Sequence, residues 1–209
     1  MTVRWAIVEV SFTIVMLPSL GLASGTVRVV PYDPAWPALF VAEAARIAPF
    51  LAAHRLTLEL EHTGSTAVPG LSAKPILDLL GGWVHAAERD AAIVALEAAG
   101  YEYRGEQGIP GRDFFRRGEP RQYHLHLTHV GSAFWDDHRT FRDYLRATPA
   151  AAAAYAALKE ALAARYPTDR ERYIDGKANF VTVTLAEARA TMRRQFMNTD
   201  ARSGGNDFG

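Results

Sequence analysis

The 209 residues carry 23 Lys or Arg against 23 Asp or Glu, a formal net charge of zero. That balance gives no bulk electrostatic reason to expect a nucleic-acid or membrane-surface partner. The length suits one domain with a sizeable core, and the absence of cysteine excludes disulfides and thiolate metal sites while fitting a reducing, cytoplasmic setting.

In chain order, residues 10–22 form a mostly apolar run behind Arg4. Gly21-Leu22-Ala23 fits a signal-peptide cleavage site, but Glu9 interrupts the apolar stretch and the run is too short to span a bilayer. Residues 1–25 therefore read as an upstream extension or misplaced start, with a signal-like segment as the alternative. Core patterning starts near residue 26, so the domain is expected over 26–195, with a polar, Gly-rich disordered tail over 196–209. Asp33-Pro34 opens a helix over 34–54 whose Trp36, Phe40, Ile47 and Leu51 share one face. Alternation of Leu58 and Leu60 with Glu59 and Glu61 marks a strand, and Pro75 to Leu80 a second one. A helix over 86–99 packs through Ile93, Val94 and Leu96 and stops at Gly100. Tyr101 to Tyr103 begins another strand, a Gly-rich loop covers 104–111, and 113–117 with 122–130 read as an antiparallel pair. From Ser132 onward the chain is helical. Ser132 caps a segment over 133–146, and Thr148-Pro149 opens an alanine-rich helix with Tyr155, Leu158 and Leu162 on one stripe. Thr168-Asp169-Arg170-Glu171 has the capping-box pattern and starts a long last helix. This order predicts an α/β (α+β) fold, a mixed sheet covered by helices with a helical C-terminal half.

Chemistry gathers between Leu58 and Leu80. Gly64 lets the backbone approach a ligand closely, and Ser65 and Thr66 add hydroxyls beside turn N–H groups. Asp78 stands inside an apolar run, where a charge is costly unless paired or bound to a metal. Lys74, at the entry to that strand, is set to meet a phosphate or Asp78 itself. Lys177 lies on the stripe Tyr173, Lys177, Phe180, Thr184 and is expected to face the Gly64-Ser65 turn. His124 and His126, two apart on a strand, face the same way and suit zinc, manganese or iron; as a plain sheet feature they are a hydrogen-bonded pair. His62 directly precedes the turn and is expected in the same pocket. His54, His85, His129 and His138 read as surface or structural residues. Arg112, Arg116, Arg117 and Arg121 read as a solvated edge strand protected by charge.

The run His62-Thr63-Gly64-Ser65-Thr66-Ala67-Val68-Pro69-Gly70-Leu71, followed by Lys74-Pro75 and Asp78, resembles the signature of the GrpB family. The likeness extends over roughly residues 27 to 190 and takes in Pro31-Tyr32-Asp33-Pro34-Ala35-Trp36, His124-Leu125-His126 and Lys177-Ala178-Asn179-Phe180. It implies a nucleotidyltransferase-like fold. The twelve residues between Ser65 and Asp78 match that superfamily's spacing from its Gly-Ser turn to its first metal-binding aspartate. The resemblance therefore implies nucleotidyl or phosphoryl transfer with a divalent metal, Mg²⁺ or Mn²⁺. Asp78 would be the catalytic and metal-binding acid, with His124 and His126 as further metal ligands. Gly64, Ser65, Thr66, Lys74 and Lys177 would bind phosphate. The expected partner is a nucleotide or phosphorylated metabolite. One departure stands out: the position of the usual second acid is Leu80. Two alternatives follow, a non-catalytic nucleotide- or metabolite-binding module, as in domains fused to dephospho-coenzyme A kinases, and a histidine-metal hydrolase using Asp78 with His124 or His126.

Overall fold

A computed structural model describes residues 20–203, with side chains through residue 195. The apolar stretch over 10–19 and residues 204–209 lie outside the described part. Five strands, β1 (Glu59–Thr63), β2 (Leu77–Trp83), β3 (Glu102–Tyr103), β4 (Asp113–Arg117) and β5 (Tyr123–His129), form one sheet in the order β1-β2-β5-β4-β3. The β2–β5 pair is parallel and the other pairs are antiparallel, so the sheet is mixed. Five helices accompany it: α1 (Trp36–Ala53), α2 (Glu88–Ala98), α3 (Ala133–Ala147), α4 (Pro149–Arg165) and α5 (Arg170–Ser203). The α+β class and the helical C-terminal half are as the element order predicts.

Period-2 alternation divides the sheet into two unlike faces. Leu77, Leu79, Phe115, Leu125 and Leu127 are fully buried in one core with residues of α1 and α2. Asp78, Leu80, His124 and His126 point the other way, toward the side occupied by α3, α4 and α5. Trp36, Ile47 and Leu51 of α1 face the core as their spacing requires. This helix is the one among the described residues long and apolar enough to cross a membrane, yet it also buries Glu43. The Glu43 carboxylate accepts from Arg46, Arg117 and Tyr101, which satisfies the charge inside the protein.

Several local expectations are corrected. Asp33 closes the turn ahead of α1, its Oδ1 accepting from Ala35 N–H at 2.9 Å, and the helix starts at Trp36. Helix α2 buries Ala92, Ala95 and Leu96 and leaves Val94 54% exposed, because its inward face follows the small residues that let it lie close to the sheet. Asp169, one residue after Thr168, caps α5 by accepting from Arg172 N–H at 3.1 Å. Strand β4 is interior, so the arginines on and beside it are not a solvated edge: Arg112 and Arg121, which flank it, are buried, and Arg117 binds Glu43. Arg116, paired with Glu102, matches the surface expectation. Helix α5 runs to Ser203, into the segment whose composition predicts a tail.

The residues just before the domain are attached to it. Leu22 is 5% exposed and pairs with Arg121 through the backbone, while the Arg121 side chain donates to the carbonyls of Leu22 and Ala23. Burying one leucine contributes about 2 kcal/mol. A chain beginning at Thr26 should therefore be about 2 kcal/mol less stable to denaturant than one beginning at Leu20. Equal stabilities would show that the Leu22 pairing contributes nothing.

Candidate functional site

The turn after β1 is shaped by a close approach. Gly64 has φ +70°, and a Cβ built there would collide with Asp78 Oδ2 and lie 3.0 Å from Asp78 Cβ. Only glycine combines that backbone with that neighbour. Strand register then sets the neighbours of Asp78: Thr63 pairs with it from β1 and His124 from β5. One step along the same face stand Glu61, Leu80 and His126.

His124 Nδ1 lies 3.2 Å from Asp78 Oδ1 and, facing a carboxylate, donates to it. His126 Nε2 lies 3.9 Å from the same oxygen. Burial pushes the Asp78 carboxyl up, but the two histidines beside it outweigh burial and hold it well below the usual carboxylate range. Burial drives the His126 imidazole down toward its neutral form, and His126 Nδ1 is buried without a protein hydrogen-bond partner. His138, on α3, lies with its ring centre 5.7 Å from that of His126, and burial lowers it to about 4.

The opposite wall of the cleft is cationic. Lys74 Nζ and Lys177 Nζ lie 5.6 and 4.6 Å from the centre of the Tyr173 ring. Lys159, 2% exposed, sits 4.6 Å from the centre of the Tyr155 ring and donates to the Ser72 carbonyl. Burial lowers all three ammonium groups, Lys159 to about 7 and Lys177 to about 8, and each also feels the others or nearby arginines. The helices that carry Lys159 and Lys177 approach closely at Gly176, where a Cβ would come within 2.5 Å of Leu162 Cδ2. Arg112, 7% exposed, lies over the rings of Phe114 and Phe134 and leaves its Nε buried without a partner.

These groups line one cleft of about 500 Å³, a size suited to a small ligand. It brings together Gly64, Ser65, Thr66, Lys74, Asp78, His124, His126 and Lys177 from the sequence expectations. His62 is not in its lining; it stacks on Phe40 on the other side of the sheet and shares a 3.0 Å hydrogen bond with Thr66 Oγ1. That bond also engages the Thr66 hydroxyl, and Ser65 hydrogen-bonds the Tyr155 side chain. The ion-pair partners of Asp78 among the described residues are His124 and His126 rather than Lys74. Sequence reasoning missed Lys159, Arg112 and His138. Tyr155 and Lys159 on α4 repeat the four-residue spacing of Tyr173 and Lys177 on α5, which was the available signal for Lys159.

A two-metal arrangement does not fit these residues. Leu80 is fully buried where a second acid would share the Asp78 face, and Glu61, the nearest carboxylate on that face of β1, is tied to Arg139 and Arg142. Among the described residues no group of three or more His, Asp or Glu is placed to hold a metal ion.

A mixed sheet with a glycine turn pressed against a strand carboxylate, roofed by lysine-bearing helices, defines an α+β protein with a lysine-walled cleft. The GrpB protein family model matches residues 26–187, and the chain belongs to that family. A UPF0157 protein of Pseudomonas aeruginosa is 42% identical over 178 residues, covering 83% of this chain and 72% of that one. The crystal structure of the conserved protein GrpB from Enterococcus faecalis superposes with a TM-score of 0.71 at 35% identity, covering 79% of this chain and 99% of that one. A dephospho-CoA kinase of Mycolicibacterium paratuberculosis is 30% identical over 187 residues, which span 76% of this chain and 45% of the kinase.

The lysine wall has a testable signature. Between about pH 7 and its ordinary 10.5, Lys159 holds fewer protons in the folded chain than in the unfolded one, so its contribution to stability rises with pH across that window. Lys159→Met should raise the melting temperature by several degrees near pH 7, with the gain shrinking toward pH 10. A gain independent of pH would show that the ammonium is not the cause.

Proposed function

We propose that the cleft binds a nucleotide or another small phosphorylated metabolite in a bacterial, cytoplasmic protein of nucleotidyltransferase-like architecture. The observation that carries this reading is the opening of the Gly64-Ser65 turn onto the same cleft as Lys74, Lys159 and Lys177. A glycine turn lets an anion reach the backbone, and ammonium groups supply the point charges that phosphate oxygens require. Transfer of a nucleotidyl or phosphoryl group by two metals would need a second acid, and Leu80 denies it. Binding without turnover is therefore the better-supported form of the reading. Similarity to part of a longer protein named as a dephospho-CoA kinase agrees with a module that handles a phosphorylated small molecule.

A second reading has its own support in the Asp78–His124 hydrogen bond. A carboxylate that orients an imidazole is the usual partner of a general base, so hydrolysis or transfer assisted by His124 or His126 is the alternative. A single Mg²⁺, Mn²⁺ or Zn²⁺ at Asp78 with the histidines belongs to that alternative.

Thermal shift separates these readings, since a ligand of the folded state raises the melting temperature by mass action. Nucleoside mono-, di- and triphosphates should raise it, the parent nucleosides should not, and Lys177→Met should reduce the shift at least by half. No shift from any phosphorylated compound, with or without Mg²⁺, Mn²⁺ or Zn²⁺, would overturn the proposal. A shift from Zn²⁺ or Mn²⁺ alone, lost in His124→Ala, would favour the histidine-metal alternative.

A further inference from the structure

We infer that the cleft neutralises a diphosphate-bearing ligand with the ammonium groups of Lys74, Lys159 and Lys177 in place of a divalent metal. This rests on the phosphorylated-ligand reading above and names how the charge is met.

The ammonium groups are held without being cancelled. Lys74 and Lys177 both lie against the Tyr173 ring, and Lys159 rests on Tyr155 and the Ser72 carbonyl. Aromatic faces and carbonyl dipoles orient a cation but leave its full charge available, whereas a carboxylate would spend it. The two carboxylates that line the cleft are engaged elsewhere, Asp78 by His124 and Asp137 by Arg189. Burying several like charges together is unfavourable, which is why burial lowers all three lysines, with repulsion from the other lysines or from Arg170 and Arg121 adding to it. A protein does not gain stability from such a cluster; an anionic ligand does.

The charge count agrees with a diphosphate. Lys74, Lys159, Lys177, Arg170 and the partly unsatisfied Arg112 face the carboxylates of Asp78 and Asp137, leaving a surplus of roughly three positive charges. A single phosphate carries about −1.5 to −2 near neutral pH, so two linked phosphates match that surplus. Magnesium normally supplies this neutralisation through carboxylates that hold it and the phosphates together. Here the second carboxylate position is a buried leucine, and the opposite wall carries lysines. The geometry is also built in: Lys159 and Lys177 stand one turn beyond Tyr155 and Tyr173 on helices whose contact at Gly176 sets their spacing.

Calorimetric titration of the full chain with inorganic pyrophosphate, in EDTA and then with Mg²⁺, tests the inference. Adenosine 5′-diphosphate and adenosine serve as parallel probes that separate a free anion from a nucleotide. Pyrophosphate or the nucleotide should bind in EDTA with an affinity within threefold of that in Mg²⁺. Lys159→Met and Lys177→Met should each weaken binding at least tenfold, with circular dichroism confirming folded variants. Asp78→Asn should tighten binding several-fold, because it removes the negative charge that stands beside the Gly64-Ser65 turn. Binding seen only with Mg²⁺ and abolished in Asp78→Asn would overturn the inference and leave the phosphorylated-ligand reading standing. Failure of both phosphate probes under either condition would remove that reading and the inference with it.

Discussion

An ionised carboxylate inside a sheet is the constraint around which this molecule is arranged. Asp78 sits on the central parallel pair of strands, where desolvation works against its charged form. Staying charged requires donors close by, and the β2–β5 register delivers His124 opposite it. The same carboxylate crowds the preceding turn so tightly that position 64 must be glycine. Helices α4 and α5 then bring cations to the side of the sheet that the carboxylate faces. Remove the side chain at 78 and the steric crowding at the glycine goes with it, along with the partner of the histidine and the counter-charge of part of the lysine wall.

The protein buries a second carboxylate by the opposite strategy. Burial pushes Glu43 up, yet Arg46, Arg117 and Tyr101 surround it and bring it below its ordinary value. Every oxygen there is engaged within the fold, which makes the group a rivet between α1, β4 and the start of β3. Asp78 has fewer protein partners, and its neighbours His126 and Thr63 each leave a buried polar atom unpaired. A saturated acid belongs to the structure, and an undersaturated one facing a cleft marks the candidate site. That contrast locates the site without reference to any relative.

Much of the fold was legible in the sequence because its cues are local. Alternation at Leu58 to Glu61, the Ser132 cap and the Gly100 stop each act within a few residues, and the element order follows from them. The strand order is not local: nothing near Asp113 reveals that β4 lies inside the sheet, so Arg112 and Arg121 read as surface residues. His62 was assigned to the pocket by adjacency to the turn, but alternation along β1 turns it toward Phe40. Gly64, Ser65, Asp78 and Lys177 were legible from pattern. Lys159 was hidden by an alanine-rich helix whose composition speaks only of helix propensity, while the burial of its side chain depends on α5.

Gly176 gives the site a mechanical character. Lys159 and Lys177 belong to different helices, so the distance between their charges is set by how closely α4 and α5 approach at that residue. A ligand that bridges the two ammonium groups would act as a clamp across the helix crossing, tightening it from the open side while Leu162 bears against Gly176. Slow breathing of the pair would then be damped where the ligand spans it, and far less in the strand that carries Asp78. Selectivity for the spacing of charges on the ligand would be inherited from helix packing, so a methyl group added at residue 176 would retune the cleft without touching any residue that lines it.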